Sequence, residues 1–340
     1  MAVTIKTIAN LANVSTATVS RFLNNPESVS EKKRKVLAAI ISEQNYKRNE
    51  LARDLVMNKS RMVGVILPDI NNIYFSPIMM GIERELEEKG YSTFICNTHG
   101  DIEKEKNYIN VLQSYRVAGM IFIGTRPLDR EKSVHVAELA EYLPVVLIND
   151  YILDSHVSFV ANNEARGIEQ ALQYLYDIGH RKIGFINGNL PMTTYSYKKN
   201  GFQLMMERLG LDWQQFYIEE DPYEAGGYRA SCSFLKRDVH PTAVITANDQ
   251  MAIGATRAIF EKGYRVPQDI SVVGYSNVPI SGEIYPRLTT VDQFPIYTGK
   301  VAAEMLITQI KKQGANEARS QMTTWLDTQL VIRDSTASCR

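Results

Sequence analysis

The sequence predicts a small all-α head joined to an α/β body of two lobes, each built on a doubly wound parallel sheet. Three observations carry this. The first 60 residues hold ten Lys/Arg against five Asp/Glu, a net of +5, while the other 280 hold 28 against 33, a net of −5. Up to Ile41, apolar residues recur at helical spacing in three short runs. From Met62 onward, short apolar runs alternate with amphipathic stretches, the pattern of successive β-α-β units. A length of 340 residues allows two to three domains. The composition, 44% hydrophobic and 22% charged, excludes disordered and low-complexity classes. Three cysteines at unrelated spacings indicate neither a disulfide framework nor a zinc cluster. With no long apolar run and no signal-peptide core, a cytoplasmic protein without cofactor or metal is expected.

Each element of the head has a local reason. Thr4 is placed to cap a helix with apolar residues at 5, 8, 9 and 12. Asn13 suits the left-handed conformation of a tight turn. Ser15 can cap a second helix over 16–23, with Val19, Phe22 and Leu23 inward and Thr16, Ala17, Ser20 and Arg21 outward, ending at Asn24-Asn25-Pro26. A third helix follows Ser30, with an apolar stripe of Val36, Leu37, Ile40 and Ile41. Two short helices across a tight turn plus a packing helix describe a helix-turn-helix. Small polar residues beside one Arg let the second helix enter a groove about 12 Å wide. No acid between Ile5 and Pro26 repels phosphate.

The run Thr4-Ile5-Lys6-Thr7-Ile8-Ala9, then Ala12-Asn13-Val14-Ser15-Thr16-Ala17-Thr18-Val19-Ser20-Arg21-Phe22-Leu23-Asn24, resembles the head of the lactose-repressor (LacI/GalR) family of bacterial regulators. So does Asn45 to Leu55. The resemblance implies that Thr16, Ala17 and Arg21 face base edges. It implies that Ser15, Thr18, Ser20 and Asn24 fix phosphates, and it adds Thr4, Tyr46 and Asn49 to the DNA-contacting set. It also implies a hinge helix over 50–56. Leu51 to Leu55 is too short to stay helical alone in water, and folds only against a partner hinge and DNA. There Leu55 is an apolar wedge for a minor-groove base step. The expected divisions are a head over 1–48, a hinge over 49–60 and a body over 61–340, with lobes near 61–160 and 161–290 and a returning C-terminal segment.

In the body, strands are expected at 63–67, 91–96, 119–123, 145–148, 157–160, 182–186, 216–218, 243–246, 270–274 and 326–332. Helices are expected at 78–89, 103–114, 134–142, 167–178, 201–209, 226–235, 249–262 and 297–311. Ligands of such sheets sit outside the carboxyl ends of strands, and two lobes make a hinged receptor of the periplasmic-binding-protein type. Enzyme signatures are missing: no P-loop, no GxGxxG and no Gly-x-Ser-x-Gly elbow, and none of the five histidines has an i, i+4 partner. His180, between a helix end and a strand, reads as a cation at the helix terminus or a packing cap, not a catalytic group.

The candidate effector residues follow strand ends. Asn71, Tyr74 and Phe75 offer an amide and aromatic faces suited to a sugar. Arg126, Asn149, Asp150 and Asn248 lie at further strand ends, Asp249 reads as the cap of its helix, and Tyr223 completes the set. The stretches 246–254, 266–275 and 286–291 also resemble the family. Two departures matter. Ser276 stands where sugar-responsive members place Asp, and Lys198 where most have a clamping Arg. A lone lysine without that Asp leaves room for an anionic ligand, a sugar acid or sugar phosphate, beside the neutral sugar.

These readings together describe a DNA-binding transcriptional regulator, not an enzyme. It is expected to be a repressor acting as a homodimer on a near-palindromic operator under a carbohydrate-type effector. No heptad helix follows Leu330 to Thr336, which favours a dimer over a tethered tetramer. The alternatives are a global regulator with a phosphoprotein corepressor, and a solute-binding receptor without gene regulation.

Overall fold

The computed structural model describes residues 3–46, 60–315 and 317–339. The chain divides into two compact units, 1–60 and 61–340. The expected hinge, with Asn49 and Leu55, lies outside the described residues.

In the first unit, α1 (Ile5–Leu11), α2 (Thr16–Asn24) and α3 (Glu31–Glu43) enclose a core of Ile8, Ala9, Val19 and Leu37. Thr4 and Thr7 form a reciprocal capping box on α1. Ser15 Oγ accepts from the Thr18 amide at the start of α2. Asn13 turns the chain at φ 46°. Ser30 makes no side-chain cap on α3, where Lys33 stands in place of the Glu or Gln of a capping box.

The second unit holds two six-stranded sheets. The first has the order β11-β5-β4-β3-β1-β2, from β1 (Met62–Leu67), β2 (Ser92–Asn97), β3 (Gly119–Ile123), β4 (Val145–Ile148), β5 (Ser158–Asn162) and β11 (Thr323–Leu326). All its pairings are parallel. The second has the order β12-β10-β9-β8-β6-β7, from β6 (Ile183–Gly188), β7 (Tyr217–Glu220), β8 (Ala243–Thr246), β9 (Ser271–Ser276), β10 (Thr289–Asp292) and β12 (Gln329–Val331). Here β12 pairs antiparallel with β10, so the second sheet is mainly rather than wholly parallel. The expected strand over 326–332 is two strands, one in each sheet.

The helices between them are α4 (Phe75–Glu88), α5 (Ile102–Ser114), α6 (Val134–Ala140), α7 (Glu164–Asp177), α8 (Thr193–Arg208), α9 (Glu224–Leu235), α10 (Asp249–Glu261) and α11 (Pro295–Gly314). Strands β3, β4, β6, β8 and β9 are buried on both faces, which is why they read as unbroken apolar runs rather than alternation. Helix α11 returns from the second lobe to pack on α4 in the first. Gly81 and Gly299 let the two backbones touch, because a Cβ on Gly81 would strike Ile296 O and one on Gly299 would strike Ile78 O. The chain thus passes between the lobes three times: from β5 to α7, from β10 to α11, and from β11 to β12. Asn162 Nδ2 donates to Gln293 O (3.2 Å), joining two of the crossings, and Gln170 brackets Thr328 on the third.

Among the described residues no helix is long and apolar enough to cross a membrane, and no cluster of three or more His, Cys, Asp or Glu could hold a metal ion. His180 is buried between Thr242 Oγ1 (2.9 Å) and Ala337 O (3.0 Å), fastening the C-terminal segment. Burial lowers its pKa, which favours the packing cap over the cation.

Candidate functional site

The head presents the second helix as expected. Ser15, Thr16, Ala17, Arg21 and Asn24 are exposed on it, and Thr18 and Ser20 are half-buried. Thr4 is exposed and engaged with Thr7. Tyr46 packs against the head's core, a structural duty the sequence reading did not assign to it.

In the body, a cavity of about 80 Å³ lies between the lobes. Asn72, Tyr74, Phe75 and Asn149 wall it from the first lobe. Lys198, Asn248 and Ser276 wall it from the second, with Glu164 and Gln293 at the crossing segments. Gly124, at the end of β3 with φ 101°, keeps that strand end close to the Phe75 ring. Of the ten expected effector residues, the structure therefore brings six together: Tyr74, Phe75, Asn149, Lys198, Asn248 and Ser276.

The other four stand off that wall, each engaged elsewhere. Asn71 is exposed in the turn after β1, where its amide donates to Asp69 Oδ1 (3.0 Å), and Asn72 takes the place on the wall. Arg126 is buried and committed within the first lobe. Its guanidinium makes a bidentate pair with Glu105 (2.9 and 2.7 Å) and its Nε donates to Ser133 (3.1 Å). Asp150 is buried too, accepting from the Arg126 amide, the Thr193 hydroxyl of the other lobe (both 2.6 Å) and the Tyr151 amide (2.7 Å). Tyr223 donates to Asp69 Oδ2 (2.5 Å), which bridges the lobes. Strand-end position alone does not fix the direction in which a side chain points. Asp249 is likewise not the cap of α10. Asn248 is, accepting from the Met251 amide (2.8 Å). Asp249 instead accepts from Thr290 Oγ1 (2.6 Å) and the Val278 amide (2.9 Å). Burial pushes its carboxyl up to about 6 despite those bonds.

Glu164 and Gln293, absent from the sequence reading, complete the floor. Gln293 Nε2 donates to Glu164 Oε1 (3.1 Å), and Ser276 Oγ donates to Gln293 Oε1 (3.0 Å). Lys198 Nζ donates to Ala247 O (2.9 Å), lies 3.3 Å from Glu164 Oε2 and sits 3.9 Å from the centroid of the Tyr275 ring. Burial lowers the Lys198 pKa, and the charges of Glu164 and Asp249 oppose that. The expectation of a lysine without an acidic neighbour is therefore corrected: the missing Asp at 276 is answered by Glu164.

Comparison with known proteins fits both units. Residues 4–49 match the profile of bacterial regulatory proteins of the lacI family, and residues 172–336 match the periplasmic binding protein-like domain. The ribose operon repressor of Escherichia coli K12 is 33% identical, across 94% of this chain and 97% of its own length. The chain belongs to the LacI family. A second relative, the HTH-type transcriptional repressor PurR of Pasteurella multocida, is 35% identical across 98% and 99%. The lac repressor dimer bound to operator and the anti-inducer ONPF aligns with a TM-score of 0.89 at 28% identity, covering 99% of this chain and all of that one. This LacI-family chain is thus a DNA-binding repressor, and its relatives are transcriptional repressors rather than enzymes.

Proposed function

We propose that this LacI-family repressor is switched by a small carbohydrate held between the lobes of its body. Two chains pair through the body and set two heads, residues 1–48, on the half-sites of a near-palindromic operator. Leu55, outside the described residues, is assigned to the central minor-groove step in this reading. The observation that carries the reading is the cavity's wall, which takes aromatic and amide groups from both lobes and Glu164 and Gln293 from the crossing segments. A ligand touching both lobes and the segments between them binds one closure more tightly than another, and that difference is the coupling an allosteric repressor needs. The cavity is smaller than the few hundred Å³ of ordinary ligand pockets, so the lobes part to admit a sugar.

The test is fluorescence anisotropy of the full chain on its operator, repeated across a panel of pentoses, hexoses and disaccharides, with thermal unfolding alongside. At least one sugar is expected to raise the melting temperature and to change operator affinity roughly tenfold or more. A panel silent in both measurements refutes a carbohydrate effector.

A further inference from the structure

The charge pair on the cavity floor has a consequence for what the cavity admits. Lys198 is the one cationic and Glu164 the one acidic side chain on the described wall. The ammonium is enclosed by a carbonyl and a ring face of its own lobe and by the carboxylate of Glu164 at the crossing segment. Arg126, a second cation at a strand end, is bound to Glu105. Meanwhile Asn149 Oδ1 is buried without a hydrogen-bond donor, and Glu164 Oε2 has only the Lys198 ammonium, 3.3 Å away. Asn149 Nδ2 is already given to the Tyr74 hydroxyl (2.8 Å). A buried acceptor without a donor is unfavourable, and a carboxylate oxygen accepts more than one bond, so an occupant that brings O–H or N–H groups is stabilised there.

We propose that Glu164 sets the charge class of the effector: paired with Lys198, it makes the cavity reject anions and select an uncharged ligand that donates hydrogen bonds to Glu164 and Asn149. This rests on the cavity being the effector site. An entering carboxylate or phosphate meets a lysine already balanced and a carboxylate that repels it at similar range. Removing the charge of Glu164 while keeping its shape leaves the lysine unbalanced and inverts the preference.

The full chain is titrated by calorimetry and thermal unfolding with ribose and glucose, with ribose 5-phosphate and gluconate, and with inorganic phosphate. The wild type is expected to bind a neutral sugar at least tenfold more tightly than its anionic counterpart and to ignore phosphate. Glu164→Gln, with its fold checked by circular dichroism, is expected to weaken the neutral sugar roughly ten- to hundredfold, the scale of a charged hydrogen bond. The same variant gains stabilisation by phosphate and ribose 5-phosphate, and Glu164→Asp retains the rejection. Anionic and neutral ligands bound equally by the wild type, or a Gln variant that gains nothing with phosphate, overturns the proposal. The wild-type arm decides even where a variant fails to fold. If no sugar binds but phosphate still separates wild type from Glu164→Gln, the carbohydrate reading fails and the charge assignment stands.

Discussion

Glu105 is the residue on which the first lobe's polar interior turns, and Glu105→Gln tests it. The carboxylate is buried on α5, accepting two bonds from Arg126 and facing His135 Nε2 at 2.7 Å. Burial alone would raise its pKa, yet the hydrogen bonds and charges of His135 and Arg126 outweigh burial and hold it at about 2, against an ordinary 4.5. That displacement corresponds to about 3 kcal/mol of native-state preference for the charged form. Losing the charge leaves Arg126 buried without its counter-ion, and breaking such a pair typically costs about 3–5 kcal/mol. The variant is therefore expected to lose about 3 kcal/mol near neutral pH, or roughly 5–10 °C in melting temperature. The folded pKa lies below the unfolded one, so the contribution is complete above about pH 4.5 and is lost as pH falls toward 2. Wild-type and variant stabilities should converge in acid. Adding Arg126→Met should restore much of the loss, because an apolar replacement of both partners removes the stranded charge. Urea unfolding followed by the emission of Trp213 and Trp325 and by circular dichroism reads all three proteins. A loss under about 1 kcal/mol, or parallel pH curves, refutes the assignment of Arg126 as structural and returns it to the ligand set.

Two further outcomes are expected. Arg21→Ala should cost about 1–3 kcal/mol on the specific operator and blur one base position, read by competition binding; uniform weakening across sequences would make Arg21 a phosphate contact. Gly299→Ala should destabilise the body by about 1–3 kcal/mol, because its Cβ meets the α4 backbone at Ile78 and that backbone cannot yield as a flexible side chain would. A melting temperature unchanged within error would show that the two helices can separate.

Much of this molecule is written locally. Strands β3, β4 and β8 agree with the sequence to the residue, because continuous apolar runs between polar turns have one reading in a covered sheet. Helix α8 begins eight residues earlier than its periodicity suggests. Its first turns, Thr193 to Asn200, are polar, and what holds them is tertiary: the Thr193 hydroxyl on Asp150 and the Lys198 ammonium on Ala247. Strand β10 leaves no periodic signal because Thr289-Thr290-Val291-Asp292 is short and mostly polar, though its first three residues are buried in the fold. The break between β11 and β12 was missed because a change of sheet leaves no local mark. Glu164 was invisible for a related reason. An acid in the first turn of a helix is an ordinary partner for the helix dipole, and only the fold brings Lys198, 34 positions later, to its side.

The three passages between the lobes also bear on the order in which the protein is made. The lobe that begins first is still incomplete when the second has most of its sheet. As the chain emerges, β1 to β5 appear early, but α4 keeps Ile78 and Ile82 uncovered until α11 is synthesised, and β5 keeps an open flank until Thr323–Leu326 arrives. Helix α11 cannot be delivered without the intervening second lobe, whose strands β6 to β10 are complete by Asp292. The second lobe thus has most of its sheet while the first is still an unfinished template with an apolar face and a free edge. A nascent chain that has emerged past 292 but not yet to 323 is in that state, open to pairing with a neighbouring copy through the uncovered edge.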